Sequence, residues 1–283
     1  MKECILELKN ASVSYDGEHQ ALHNINVKIN KEERIAVLGN NGAGKSTFFL
    51  CLNGVLPLQN GELIINEYKI KRQKKDLAML REKVGFVFQD PDSQMIATTV
   101  ESEISFGLMN RNLPKEEVKN RINQILQELD LDKLRKTAPH YLSGGEKKRV
   151  SIADILVMNP EVLLLDEPTA SLDGKNIRVF EEILKGQSLK GITILSSTHD
   201  INFAWKWANR ILVFHEGEII ADDIPEKIFA NEELLVKASL KKPALYQFTE
   251  LICKKFNKDL PFMIPKDEKQ LEGLITQVST MHI

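Results

Sequence analysis

Arg34-Ile35-Ala36-Val37-Leu38-Gly39-Asn40-Asn41-Gly42-Ala43-Gly44-Lys45-Ser46-Thr47 is the stretch on which the reading of this sequence turns. Ile35 to Leu38 is an unbroken apolar run, as expected of a strand buried on both faces of a parallel sheet. The chain then becomes glycine-rich and, from Lys45 through Leu52, helix-like, with a stop at Asn53-Gly54. Gly39-x-x-x-x-Gly44-Lys45-Ser46 fits the phosphate-loop pattern in full. Glycines let the backbone wrap a phosphate with several N–H groups pointing inward, and the next helix offers its positive end. Gly39, Asn40, Asn41, Gly42, Ala43, Gly44, Lys45, Ser46 and Thr47 are therefore candidate contacts to a nucleotide. Lys45 is expected to bridge the β- and γ-phosphates of ATP, and Ser46 to hold Mg²⁺. An ordinary glycine-rich turn would need neither the lysine nor the flanking strand and helix.

Val162-Leu163-Leu164-Leu165-Asp166-Glu167 supplies a second half. An apolar strand ending in two acids brings carboxylates to the carboxyl edge of a parallel sheet, where such sheets bind ligands. Asp166 is expected in the Mg²⁺ shell, and Glu167 orienting and polarising the attacking water. Alone, an acid pair after a strand is often a helix cap; beside the phosphate loop it becomes a site.

Around these two anchors the sequence predicts strands at Ile5–Leu8, Leu22–Ile29, Gly61–Ile65, Val84–Phe88 and Ile192–Ser196, with a hairpin over Ile211–Phe214 and Glu218–Ile220. Between Pro91 and Pro160 the character is helical. Val118, Ile122, Ile125, Leu126 and Leu129 share one helix face, and another helix is expected from Ser143 to about Met158. A further helix near Asn176–Leu184 separates two strands as a βαβ unit. Past Phe229, Leu245, Phe248, Ile252 and Phe256 form an apolar stripe, and a last helix is expected over Asp267–Ser279.

Composition excludes several classes. Apolar residues make up 42% and charged residues 28% of the 283, the balance of a globular chain. A net charge of −2 gives no electrostatic reason to expect a nucleic-acid partner. The one basic cluster, Lys69, Lys71, Arg72, Lys74 and Lys75, reads as a solvated rim. Three scattered cysteines form neither a disulfide framework nor a zinc site. The start is charged where a secretory signal needs an apolar core. The longest apolar run, Phe48–Leu52, is far short of the ~20 residues a membrane helix requires.

Leu142-Ser143-Gly144-Gly145-Glu146 has its own physics: Ser143-x-x-Glu146 is a capping box, and the glycines leave N–H groups free for an anion. Together with the two preceding motifs it resembles the signature of ATP-binding cassette (ABC) transporter ATPases, over roughly residues 4–228 and with every motif in family order. The resemblance implies an α/β fold with a P-loop NTPase (RecA-like) core and mostly parallel sheet. It also implies an antiparallel β subdomain and an inserted helical subdomain (about 92–159), here with a small helical extension (229–283). It places Gln89 at Mg²⁺ and the lytic water, His199 at the γ-phosphate, Tyr15 against adenine, and Ser171-Leu172-Asp173 in a loop that crosses to a facing subunit. Ser143, Gly144 and Gly145 would bind the ATP held by Lys45 of that second subunit, identical or related. Glu146, where glutamine is commoner, keeps the capping geometry.

Only 98 positions separate Lys45 from Ser143, with no heptad run between them, unlike chromosome-maintenance relatives. One cassette per chain is unlike the translation-associated ones. Phe88-Gln89-Asp90-Pro91-Asp92-Ser93-Gln94-Met95 and the tail resemble the energy-coupling factor importers, including the cobalt-import type. That implies separate integral membrane subunits and a peripheral position on the cytoplasmic face of the cell membrane. Export, or a nucleic-acid-linked ATPase, is the alternative. For the tail, a dimer clamp and a lid over the cassette remain equally open.

Overall fold

The computed structural model describes residues 3–109, 111, 113–170, 172–261 and 264–280. Two sheets organise the chain. The first is antiparallel, with strand order β2-β1-β4-β5, built from β1 (Cys4–Ser14), β2 (Gln20–Asn30), β4 (Asn60–Ile65) and β5 (Tyr68–Lys69). The second has the order β10-β9-β3-β8-β7-β6, from β3 (Arg34–Leu38), β6 (Val84–Val87), β7 (Val162–Leu165), β8 (Thr193–Ser197), β9 (Arg210–His215) and β10 (Glu218–Asp223). Strands β9, β3, β8, β7 and β6 run parallel, and β10 closes one edge antiparallel.

Side chains alternate across a strand, and here the alternation feeds two cores. Ile35, Val37, Val162, Leu164, Leu195, Leu212 and Phe214 face the antiparallel sheet and helix α1 (Lys45–Leu52). Ala36, Leu38, Leu163, Leu165, Ile194, Ile211 and Val213 face the opposite helical layer. Sequences such as Val-Leu-Leu-Leu are apolar at every position because neither face meets water.

Helix α2 (Lys74–Lys83) leads into β6. Between β6 and β7 the chain leaves the sheet for α3 (Val100–Met109), α4 (Lys115–Glu128) and α5 (Gly144–Leu156). α6 (Gly174–Leu189) connects β7 to β8, and α7 (Ile201–Trp207) connects β8 to β9. The tail carries α8 (Pro225–Ala230), α9 (Glu232–Lys237), α10 (Ala244–Lys255) and α11 (Glu268–Thr280).

Several expectations shift. β8 ends at Ser197 rather than Ser196, α6 is longer than predicted, and α2 and α7 had no periodicity strong enough to announce them. The exposed basic cluster straddles the start of α2, as a solvated rim would. On α10 the predicted stripe is not the buried face. Phe248 is 54% exposed, whereas Tyr246, Thr249 and Cys253 are buried. The cause is Trp205 of α7, 1% exposed, which meets the rings of Phe229 and Tyr246 edge-on and donates its indole N–H to the Pro265 carbonyl at 2.8 Å. The tail thus packs upon the helix that follows β8 in its own chain.

Candidate functional site

β3, β8, β7 and β6 are neighbours, so the residues following their carboxyl ends meet along one sheet edge. After β3 the loop takes left-handed backbone at Gly39 (φ 147°), Gly42 (φ 78°) and Gly44 (φ 105°). A Cβ at Gly39 would lie 2.4 Å from the Phe214 carbonyl oxygen, and one at Gly44 2.9 Å from that of Ala21. Glycine is required there by both conformation and space. The loop closes with Ala43 N–H donating to the Asn40 carbonyl, while Gly217 N–H donates to that of Ala43.

α1 then begins with Gly44 at its cap position, with no side-chain cap and no acid in its first turn. Ser143 before α5, Asp173 before α6 and Asp200 before α7 all cap their helices with a side-chain oxygen. Helix α1 is left with its first-turn N–H groups and positive end without such a partner, the arrangement that accepts an anion. Ser46 and Asn41 are exposed beside it.

Lys45 is 5% exposed and donates to the carbonyls of Gly39 (2.7 Å) and Asn40 (3.1 Å). Its Nζ also lies 3.4 Å from His199 Nε2 and 3.9 Å from Glu167 Oε1. Burial pulls its ammonium below the ordinary lysine range, and the carboxylates of Glu167 and Asp166 draw it back up. Glu167 Oε1 is in turn 2.7 Å from His199 Nε2. Three predicted residues from three strand ends therefore converge: Lys45, Glu167 and His199.

Asp166 is 7% exposed; its Oδ1 accepts from the Ser197 hydroxyl at 2.6 Å, and its N–H donates to the Val87 carbonyl. The same Ser197 Oγ accepts the Glu167 N–H at 2.8 Å. Glu167 has a φ of +41°, uncommon for a residue with a side chain and costing of the order of 1 kcal/mol. Ser197 thus fixes both acids. The sequence did carry a signal for it, the hydroxyl pair Ser196-Ser197 closing a buried strand, because a buried hydroxyl needs a partner.

Tyr15 lies past the end of β1, not within it; it is 65% exposed and its hydroxyl is 3.1 Å from Thr47 Oγ1. It stands next to the phosphate loop rather than packed in the sheet. Gln89 is exposed just past β6. Its carbonyl (2.8 Å) and that of Phe88 (3.0 Å) accept from Lys148 of α5. Burial pushes the Lys148 ammonium down to about 8, against the pull of Asp166 and Asp90.

At the signature segment the capping box is complete: Ser143 N–H and hydroxyl donate to Glu146 Oε2 at 2.8 and 2.7 Å. These bonds hold the Glu146 carboxyl below the usual carboxylate range. Ser143 and Gly144 are exposed, with open space around Gly144. A Cβ on Gly145 would instead fall 2.2 Å from Asn176 Oδ1, and Asn176 donates from both N–H and Nδ2 to Asp173 Oδ1. Asp173 and the signature are joined through Asn176, which sequence reasoning missed, as it missed Lys148. Ser171, predicted beside Asp173, lies outside the described residues.

Known proteins place this arrangement. The profile of the ABC transporter family matches residues 22–170. The chain is 45% identical, over 84% of its length and 77% of the other's, to the energy-coupling factor transporter ATP-binding protein EcfA of Methanothermobacter thermautotrophicus. The structure of cbiO1 from Clostridium perfringens, part of the ABC transporter complex cbiONQ, superposes with a TM-score of 0.76 at 36% identity. That likeness covers 89% of this chain and 99% of cbiO1. A dimeric post-hydrolysis structure of the cassette MJ0796 with ADP and Pi superposes at 0.71 with 30% identity, over 78% and 99%. The fold, the uncapped phosphate loop and these relatives together make the chain a member of the ABC transporter family, an ATP-hydrolysing subunit built on a P-loop NTPase core.

Proposed function

We propose that this ATPase serves an importer of the energy-coupling factor type, driving uptake of cobalt or another micronutrient through separate membrane subunits. Residues 1–228 are the cassette, with the helical subdomain at about 92–159, and 229–283 a helical extension, packed on α7 of its own chain, that covers the cassette or helps hold two copies together. The names of its relatives and the Phe88–Met95 segment support this reading. So do the exposed apolar side chains Phe88 of that segment, Ile96 just after it, and Phe106 and Met109 of α3, which suit a membrane subunit. Among the described residues no helix is long and apolar enough to cross a membrane. The relatives' names as transporter ATP-binding proteins support a peripheral place on the cytoplasmic face. No nucleic acid enters the scheme.

In the catalytic cycle Gly39–Thr47 wraps the triphosphate, Tyr15 stacks on adenine, and Lys45 turns from its own loop carbonyls to the β- and γ-phosphates. Glu167 orients the attacking water, His199 holds the γ-phosphate, and Gln89 lines the same water. Among the described residues no group of three or more His, Cys, Asp or Glu could hold a metal alone. That suits Mg²⁺, which takes few protein ligands and completes its shell with phosphate and water. Ser46, Gln89 and Asp166 are the ligands this chain offers. When bound, the ion neutralises charge developing on the phosphates.

Ser143, Gly144, Gly145 and Asp173 serve the ATP of a facing copy. The observation that supports this is the exposed helix start at Ser143 and Gly144, with open space around Gly144 and a capping box that takes up the N–H groups of Ser143 and Glu146 but not those of the two glycines between them. Glu167→Gln tests it: with ATP the variant binds nucleotide, loses turnover and sediments as a dimer. A monomer at saturating ATP sinks the shared site. Reconstitution with membrane subunits in vesicles, offering cobalt and vitamins in turn, tests the importer.

A further inference from the structure

Lys148 is 3% exposed, and its ammonium donates to backbone carbonyls rather than to a carboxylate. A buried ammonium is costly unless its donors are satisfied. Two of its donors end on successive carbonyls, Phe88 and Gln89, in the loop that carries Gln89 past β6. One residue earlier, Lys147 pairs with Asp92 of the same loop at 2.7 Å. The loop is stiffened from within, since Gln94 Oε1 accepts the Phe88 N–H and Asp90 Oδ1 the Asp92 N–H. At the other end of α5, Gly85 of β6 leaves no room: a Cβ there would be 2.1 Å from Ile155 Cγ2. Helix α5 is therefore seated on β6 at its far end and strapped to the loop after β6 within two turns of Ser143.

We propose that Lys148 is a positioning residue, fastening the carbonyls of the glutamine loop to the signature helix so that displacement of Gln89 carries Ser143 with it. This rests on the reading above, in which Gln89 serves ATP in its own subunit and Ser143 serves the ATP of the facing one. The strap would make nucleotide in one half-site alter how the helix tip is offered to the other. A lysine that only filled space could be replaced by methionine, of similar length and without donors; a strap could not.

The test is hydrogen exchange and steady-state kinetics on Lys148→Met and Lys148→Arg. Without nucleotide, amide exchange over 88–94 should rise at least ~10-fold in Lys148→Met, while ATP affinity stays within about twofold because the phosphate loop is untouched. The turnover number should fall by about 10–100-fold, the scale of a misplaced catalytic group. Lys148→Arg, whose guanidinium can still donate to both carbonyls, should recover most of both. Wild-type exchange and turnover in Lys148→Met would overturn the proposal, as would a loss explained wholly by weaker ATP binding. Lys147→Met cuts the outer, more exposed pair and endangers folding least; it should raise exchange over 88–94 about twofold, and no change there would also count against the strap. ATP-induced protection of 143–147 in the unaltered protein judges the shared-site reading separately. Its absence would remove the trans role of Ser143, while the nucleotide-free exchange still decides whether the strap exists.

Discussion

Replacing Ser197 by alanine isolates the contact that sets both acids. Its hydroxyl is fully buried, donates to Asp166 Oδ1 at 2.6 Å and accepts from Glu167 N–H at 2.8 Å. The first bond ends on a carboxylate and is worth about 1.5–3 kcal/mol; the second, to a neutral amide, about 1 kcal/mol. Alanine leaves a carboxylate oxygen and an N–H unpaired in a turn whose Glu167 is already in the left-handed region. A loss of roughly 3 kcal/mol of unfolding free energy is expected. Freed from Ser197, Asp166 and Glu167 drift, and turnover should fall at least ~10-fold with little change in ATP affinity. Ser196→Ala is the matched control, because that hydroxyl is equally buried but, among the described residues, makes only one long bond, 3.4 Å to the Ser197 carbonyl. Urea unfolding by circular dichroism and phosphate release would read the two effects. If Ser197→Ala stayed within about 0.5 kcal/mol of the parent and within twofold in turnover, or if Ser196→Ala matched its loss, the reasoning about the acid pair would be wrong.

Lys45→Ala removes a charge-assisted contact to phosphate and should weaken ATP binding about 10–100-fold by calorimetry; unchanged affinity would place the cradle elsewhere. Gly39→Ala sets a methyl 2.4 Å from the Phe214 carbonyl oxygen, and should lower unfolding free energy by about 2 kcal/mol or more with loss of nucleotide binding. Cys51 is 1% exposed and burial pushes its thiol up to about 12, so at pH 8 only about one part in ten thousand is thiolate. It should resist thiol reagents in the folded protein at pH 8, react more readily as the pH approaches 12, and react promptly once unfolded; rapid labelling at pH 8 would contradict that.

The parts of this molecule legible in its sequence are those whose physics is local. Gly39–Ser46 dictates its own turn, Val162–Glu167 its own strand and edge, and Ser143-x-x-Glu146 its own cap. The residues that were not legible act through approaches the sequence order hides. Ser197 matters because β8 lies beside β7, Lys148 because α5 crosses the loop after β6, and Asn176 because α6 begins against Gly145. Helix α10 shows the same limit from the other side. Leu245, Phe248, Ile252 and Phe256 make the better stripe on paper. Trp205 decides instead, drawing Tyr246 inward and turning Phe248 to solvent.

Helix α1 starts without a side-chain cap, and this has a consequence for handling the protein. If a phosphate finishes its first turn, as proposed, nucleotide is a structural component of the fold as well as fuel. At a hundredfold excess over the dissociation constant, ligand binding adds about 2.7 kcal/mol to the native state. A cell rich in ATP therefore keeps a sturdier protein than a column run in plain buffer. Its melting temperature should climb with nucleotide concentration even where no hydrolysis can occur.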